Sequence, residues 1–527
     1  VESFLSGVTK PVGTDSFLWY KKNIYLPAEF KKKNLLLHFG AVDWQCIVYV
    51  NGQIAGMHEG GYDPFTLNIT PFIKKNGQQE IVVRVWDPSD DGPQPRGKQV
   101  KIPRSIWYTS VTGIWQTVWL ESVPPTYIAS IKQTPDIDKN TITVSAQLHN
   151  MQADDLIKIS AWDENKKIDE QLVAGNNAAT LKIEDLKIWS PDNPFLYDLT
   201  IMLIRKGKMI DSVRSYFAMR KISMAPDNNG VQRIMLNNKF LFEFGPLDQG
   251  WWPDGLYTAP TDDALKFDIE KTKEMGFNLI RKHVKVEPAR WYNYCDKLGM
   301  LVWQDMPSGD LKDEHWESKP GVESGPLDKI RTTASENIFK KEWSAIIDAL
   351  YNFPCIIVWV PFNEAWGQFK TPEITAWTMQ KDPSRLVNSA SGGNFHFVGH
   401  MVDLHNYPAP AMPRADLFGS KHALVLGEFG GLGLPVENHT WQNKNNWGYQ
   451  SFKNVDTLFL KYQSFVNTLN DWIIKGLSAA IYTQTTDVEI EVNGFMTYDR
   501  KVIKMPVEKL NAVNSKLYNT SLVNILK

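Results

Sequence analysis

From residue 223 to the end of the chain, short apolar runs alternate with amphipathic stretches, an order that few folds accept. The runs fall at 240–244, 279–283, 301–304, 356–361, 386–389, 401–404, 422–426 and 479–483. Helical periodicity fills most of the gaps, at 262–275, 287–298, 328–351 and 455–474. Eight such units across 223–527 predict a (β/α)8 barrel. A doubly wound open sheet uses the same alternation, but no GxGxxG and no phosphate loop follows any run. The barrel is preferred.

Upstream the period changes. Residues 1–125 alternate over short runs such as Cys46-Ile-Val-Tyr-Val, broken by Asn51-Gly and Asn76-Gly turns, and this predicts a β jelly-roll sandwich. Val123-Pro-Pro marks a boundary, and 126–222 repeats the β character at a length that suits an immunoglobulin-like sandwich. Three domains (1–125, 126–222 and 223–527) fit a chain of 527 residues.

Composition narrows the partners. With 57 Lys+Arg against 59 Asp+Glu, the net charge of −2 leaves no footprint for nucleic acid or an acidic membrane surface. The longest apolar runs fall far short of the ~18 residues of a membrane-spanning helix. Cys46, Cys295 and Cys355 stand far apart, which excludes a disulfide framework and a thiolate zinc site. The 20 Trp suit the flat apolar faces of sugars, and equally the cores of large β-sandwiches. The chain opens at Val1 on what reads as mature sequence, so a processed or trimmed start is expected.

Barrel enzymes carry their chemistry where strands end. Two runs here end in a glutamate: Ile356-Ile-Val-Trp-Val-Pro-Phe-Asn-Glu364 and Ala423-Leu-Val-Leu-Gly-Glu428-Phe-Gly-Gly. A carboxylate straight after a buried apolar run is costly unless it is paired or solvated in a site. Two on one barrel face are what glycoside hydrolysis requires, one as proton donor and one as nucleophile or base. The bland alternative, two ring-top ion-pair residues, explains either glutamate alone better than both together.

The segment Phe353-Pro-Cys-Ile-Ile-Val-Trp-Val-Pro-Phe-Asn-Glu364 resembles the acid/base signature of glycoside hydrolase family 2, which holds β-galactosidases, β-glucuronidases and β-mannosidases. Gly427-Glu-Phe-Gly-Gly resembles that family's nucleophile segment. Asn278-Leu-Ile-Arg-Lys-His283, Asp403-Leu-His-Asn-Tyr-Pro408 and Tyr482-Thr-Gln-Thr-Thr look like its second, sixth and eighth barrel strands. Gly113-Ile-Trp-Gln-Thr-Val-Trp-Leu-Glu and Ile188-Trp-Ser-Pro-Asp-Asn-Pro look like segments of its two β domains. The resemblance implies a retaining, exo-acting hydrolase that works through a covalent glycosyl-enzyme. It makes Glu364 the acid/base and Glu428 the nucleophile. Asn363 would meet the sugar 2-OH, Tyr407 would hydrogen-bond Glu428, and Arg281 would lie beneath the nucleophile and favour its charge. His283 and His405 would line the subsite, with Trp366 as a sugar platform and Tyr482 as a further substrate contact. No cofactor is implied, metal activation is not indicated, and a homo-oligomer is left open.

The chain also departs from the family. Its jelly roll normally starts several dozen residues before a segment like Val1-Glu-Ser-Phe-Leu-Ser-Gly7. The family's glucuronidases grip a substrate carboxylate with Asn-x-Lys near the eighth strand, where this chain has Glu491-Val-Asn493. An acid there predicts that β-galactosides outrank β-glucuronides by at least about tenfold. β-Galactosidase is the expected activity on the frequency of that activity in the family rather than on any one residue, with β-glucuronidase or another β-hexosidase as the alternative. Two rivals from other classes are a non-catalytic carbohydrate-binding relative and a metal-dependent hydrolase ligated by His283, His400, Asp403 and His405. The second lacks the HxH pair that such barrels place after their first strand, where this chain reads Phe242-Glu-Phe-Gly-Pro-Leu.

Overall fold

A computed structural model describes residues 7, 11–30, 33–311 and 328–518; the opening segment 1–6 lies outside them. The first β unit is a sandwich. A four-stranded antiparallel sheet (Leu18–Ile24, Gln79–Trp86, Gln45–Val50, Gln53–Glu59) faces a three-stranded one (Val118–Val123, Asn34–Phe39, Phe65–Asn68). Leu35, Leu37, Val48, Val50, Val83 and Val85 fill the space between them, which is the inward half of each alternating strand. The second unit is also a sandwich, with a three-stranded sheet over Tyr127–Asp136, Thr141–His149 and Ala179–Lys182. Its four-stranded partner runs Lys166–Ala174, Asp155–Asp163, Tyr197–Arg205 and Lys208–Phe217.

The third unit is an eight-stranded, parallel, nearly closed barrel: β1 (Glu243–Asp248), β2 (Leu279–Lys282), β3 (Leu301–Asp305), β4 (Ile356–Val360), β5 (Leu386–Val387), β6 (Met401–Asn406), β7 (Ala423–Gly430) and β8 (Leu477–Thr483). Ladders run from β5 through β4, β3, β2, β1, β8 and β7 to β6. At the remaining seam His400 joins the ends: its N–H donates to the Val387 carbonyl at 2.9 Å, and its Nδ1 accepts from the Val387 N–H at 2.9 Å. Every residue of β4 is buried, because a parallel barrel strand has neighbours on both faces and so reads as an unbroken apolar run. Side-chain caps start three of the surrounding helices. Thr261, Thr332 and Asn454 accept from N–H groups in the first turns of Asp262–Glu274, Thr333–Leu350 and Val455–Lys475. No described helix is long and apolar enough to cross a membrane.

One expected strand is misplaced. Lys239–Phe240, the start of the 240–244 run, pairs antiparallel with Met235–Leu236 across a turn at Asn237 and Asn238, both left-handed at φ 54° and 62°. The barrel's first strand begins only at Glu243. Phe240-Leu-Phe is apolar throughout and cannot signal that the chain leaves one sheet and enters another.

Candidate active site

Glu364 and Glu428 meet at the carboxyl ends of β4 and β7, as strand-end acids of one barrel should. Two backbone irregularities aim them. In the β6–β7 ladder Leu404 pairs with Leu426 but His405 pairs with Glu428, so Gly427 is the extra residue of a bulge that turns Glu428 inward. Glu364 and Ala365 are both left-handed (φ 49° and 60°), a conformation that costs a side-chain-bearing residue about 1 kcal/mol or more. The tight reversal closes with the Trp366 N–H on the Asn363 carbonyl at 3.0 Å.

Arg281, on β2 and fully buried, organises the floor. Its Nε and Nη2 donate to the two Asp305 oxygens at 3.1 and 2.9 Å, a fork that fixes the guanidinium. Nη1 then reaches Glu428 Oε1 at 3.2 Å, and Nη2 reaches Asn363 Oδ1 at 2.8 Å. One cation therefore positions the acid of β7 and the amide beside the acid of β4. The other Glu428 oxygen accepts the Tyr407 hydroxyl at 2.6 Å. Tyr407 is stacked on Tyr449, with ring centroids 3.7 Å apart, and its oxygen lies 2.5 Å from Thr483 Oγ1. Burial and the Glu428 charge push the Tyr407 phenol well up, so it stays a donor.

His405 links the two acids. Its Nδ1 lies 2.7 Å from Glu364 Oε1 and 3.6 Å from Glu428 Oε2, and its Nε2 lies 2.8 Å from Ser391 Oγ. Ser391 donates in turn to Asp403 at 2.6 Å. Burial works against the imidazolium, but Glu428, Glu364 and Asp403 outweigh it and raise the His405 pKa. Burial pushes Glu364 up, and the His405 hydrogen bond and charge, helped by Lys98 and Arg281, bring it below its ordinary value. Gly392 makes room for the ring: it is left-handed (φ 61°), and a Cβ there would lie 2.3 Å from His405 Cγ.

Of the residues named from sequence, Asn363, Arg281, Tyr407 and His405 gather around the two glutamates. His283 is close but buried, with Nδ1 on Asp305 at 2.9 Å and Nε2 without a partner. Burial, then the Lys98 and Arg281 charges, hold it well below a histidine's usual value. Two expectations need correction. Trp366 is 2% exposed, with its ring against Trp107 at 5.0 Å and the Arg96 guanidinium over it at 5.6 Å, so no face is left for a sugar. Tyr482 is 1% exposed and packs among Phe429, Tyr462 and Phe495, because strand alternation gives the inward position to its neighbour Thr483. Tyr449, stacked on Tyr407 and 42% exposed, is an aromatic that keeps open surface beside the two acids.

The four side chains of the metal-hydrolase alternative do not assemble. His400 serves the β5–β6 seam, and Asp403 accepts from Asn388, Ser391 and the Gly427 N–H, each at 2.6 Å. Among the described residues, the atoms that could hold a cation belong to Glu364, His405 and Glu428, all within 4.8 Å of one another. An ion there would have to displace the His405 proton and lie against the Arg281 guanidinium. Asp305, at the end of β3, was legible by the signal that found the glutamates, a carboxylate straight after the apolar run Leu301-Val-Trp-Gln. Thr483 and Tyr449 carried no such signal.

Comparison with known proteins agrees with this architecture. The glycosyl hydrolases family 2 sugar binding domain matches residues 8–124, the family's central domain matches 126–220, and its TIM barrel domain matches 255–409. Glu364 falls inside the last stretch and Glu428 beyond it. A "Putative beta-glucuronidase" of Formosa agariphila is 30% identical over 363 residues, 66% of this chain and 40% of its own length. A β-galactosidase of Thermoanaerobacter pseudethanolicus is 25% identical over 369 residues, 66% of this chain and 44% of its own. This chain thus spans less than half the length of either relative. Among solved structures, a β-D-glucuronidase from Dictyoglomus thermophilum superposes with a TM-score of 0.78 at 17% identity, covering 98% of this chain and 93% of that one. Matched in order by all three domain models, the chain belongs to glycosyl hydrolases family 2.

Proposed function

We propose that this protein is a retaining, exo-acting β-glycosidase and that β-glucuronides are its preferred substrates. The observation that carries the reading is the pair Glu364 and Glu428, which present carboxylate oxygens within 4.8 Å of each other and of His405. Retaining hydrolysis needs its acids about 5–5.5 Å apart, whereas inversion needs room for a water between acids about 6.5–9.5 Å apart. Glu428 would attack the anomeric carbon and form the glycosyl ester while the glycosidic C–O bond breaks. Glu364 would hand its proton to the departing oxygen. In the second half Glu364 would take a proton from water, whose oxygen attacks the same carbon and frees Glu428. Both proton transfer and attack then rest on carboxylates, and no metal ion enters the chemistry.

The expected lead of galactosides over glucuronides rested on the repulsion of a uronate by Glu491, and the choice of galactose itself on family frequency. That acid is already engaged: its oxygens accept from the Tyr108 hydroxyl and from Asn493 Nδ2, and burial pushes its pKa up. The name of the Formosa relative supports the glucuronide reading, and that of the Thermoanaerobacter relative supports its rival. A panel of nitrophenyl glycosides separates them. The glucuronide should lead the galactoside in kcat/KM by at least about tenfold, roughly 1.4 kcal/mol of transition-state binding. A galactoside lead overturns the assignment, and complete loss of activity on chelation, restored by zinc, overturns the mechanism.

A further inference from the structure

Residues 87–109 leave the first β unit and pass over the mouth of the barrel. The backbone N–H groups of Arg96 and Gly97 both donate to the Ser308 carbonyl at 3.2 Å. Gly97 is left-handed (φ 59°), and a Cβ there would meet the Val284 carbonyl at 2.6 Å and the Tyr62 and Tyr257 hydroxyls at 2.9 Å, so only glycine lets the loop sit this low. The Arg96 guanidinium lies against both the Trp107 and Trp366 rings, 5.6 Å from each. Gln99 points back into the β unit, with Nε2 on Asp43 at 2.8 Å and Oε1 accepting from the Val111 N–H at 2.6 Å.

Gln99–Val100 is a short strand paired with Tyr108–Thr109, and the turn residue that leads into it is Lys98, whose carbonyl accepts from the Tyr108 N–H at 2.9 Å. Its Nζ lies 6.0 Å from the centroid of the Tyr108 ring, whose hydroxyl is bonded to Glu491. Its charge bears on Glu364, His283 and Glu491, in keeping with a place beside Tyr108 at the mouth of the barrel. The side chain is half-buried, and its ammonium has no hydrogen bond or ion pair with any described residue. Of the other cations near Glu491 in sequence, Lys501 is exposed and two are committed. Arg500 is paired with Asp268 and stacked on Trp252, and Lys504 is paired with Asp487.

We propose that Lys98 is the cation that reads the substrate's carboxylate, delivered to the barrel by the jelly roll rather than by a barrel strand. This deepens the glucuronide assignment and rests on it. A lysine already held in a partly desolvated site by a clamped loop loses little freedom on meeting an anion, and its charge offsets the desolvation of a uronate. The acids of the site (Glu364, Glu428 and Glu491) make an unpaired substrate carboxylate unwelcome unless such a cation faces it.

The test measures kcat/KM on nitrophenyl β-glucuronide and β-galactoside for the wild type, Lys98→Met and Lys98→Arg, with thermal melting to confirm that each variant folds. Lys98→Met should lower the glucuronide-to-galactoside ratio at least about thirtyfold, and Lys98→Arg should recover most of it. If the wild type cleaves the glucuronide but Lys98→Met slows both substrates equally or neither, the carboxylate role is overturned while the glucuronide assignment stands. A wild type inert toward the glucuronide overturns both.

Discussion

Glu428 and Glu364 are the same side chain a few ångströms apart, held in opposite ways. Glu428 sits within a strand, its side chain 7% exposed, with a guanidinium on one oxygen and a phenol on the other. Glu364 lies just past its strand on left-handed backbone, its side chain 18% exposed, and among the described residues its carboxylate has the His405 ring as its one hydrogen-bond partner. Fixed charge and fixed aim suit a nucleophile that must strike one carbon. A looser group, in contact with a proton carrier and with solvent, suits an acid that must give a proton and regain it each turnover.

The largest effect should come from removing the fixed acid. Glu428→Gln should lower kcat on every glycoside at least about 10⁴-fold, because no ester can form. Removing the looser acid should discriminate between substrates: Glu364→Ala should lose about 10²–10⁴-fold on poor leaving groups and much less on nitrophenol. Azide should then raise its turnover and yield a β-glycosyl azide, since attack on the exposed ester no longer needs a base. Azide rescue of a Glu428 variant with retained configuration would reverse the two roles.

The smallest effect is a shift in pH. The proposed mechanism needs one proton on the Glu364–His405 pair. Because the histidine's pKa is raised and the glutamate's lowered, that proton rests on His405 in the free enzyme and leaves as pH climbs through the raised value. In His405→Gln the last proton leaves Glu364 itself, and an ordinary glutamate titrates about two units below an ordinary histidine. The basic limb of the kcat/KM profile should therefore move to lower pH. A limb that stays in place shows that the histidine does not hold the proton and that the contrast between the acids is only one of packing.

The sequence announced the two glutamates because burying an acid at the end of an apolar run needs a reason, and Asp305 obeyed the same rule. The barrel was legible for a related reason: parallel strands closed in on both faces leave long apolar runs. What failed was orientation. Trp366 is only two residues past Glu364, yet the left-handed pair Glu364–Ala365 turns its ring away from the site and under the Arg96 loop. Tyr482 is one residue from Thr483, and in a strand one residue is the difference between the barrel interior and its helix-facing side. Lys98 could not be seen at all, because its place is set by contacts with Ser308 and Trp366, hundreds of residues along the chain.

The clamp on the Arg96 loop also fixes an order of events during synthesis. Chains emerge from the ribosome N-terminus first at about 5–20 residues per second, so a β unit can fold while the barrel is still unmade. The Trp366 face of the clamp follows Arg96 by about 270 residues, which is roughly 15–50 s at that pace. For that interval the first β unit holds a loop with only its own half of the seat, Trp107 and Tyr62, and the seat is completed only as the fourth barrel strand and the turn after it leave the ribosome. A nascent chain stalled before residue 366 should therefore be cut by protease within 92–100, and one stalled well beyond the barrel should resist.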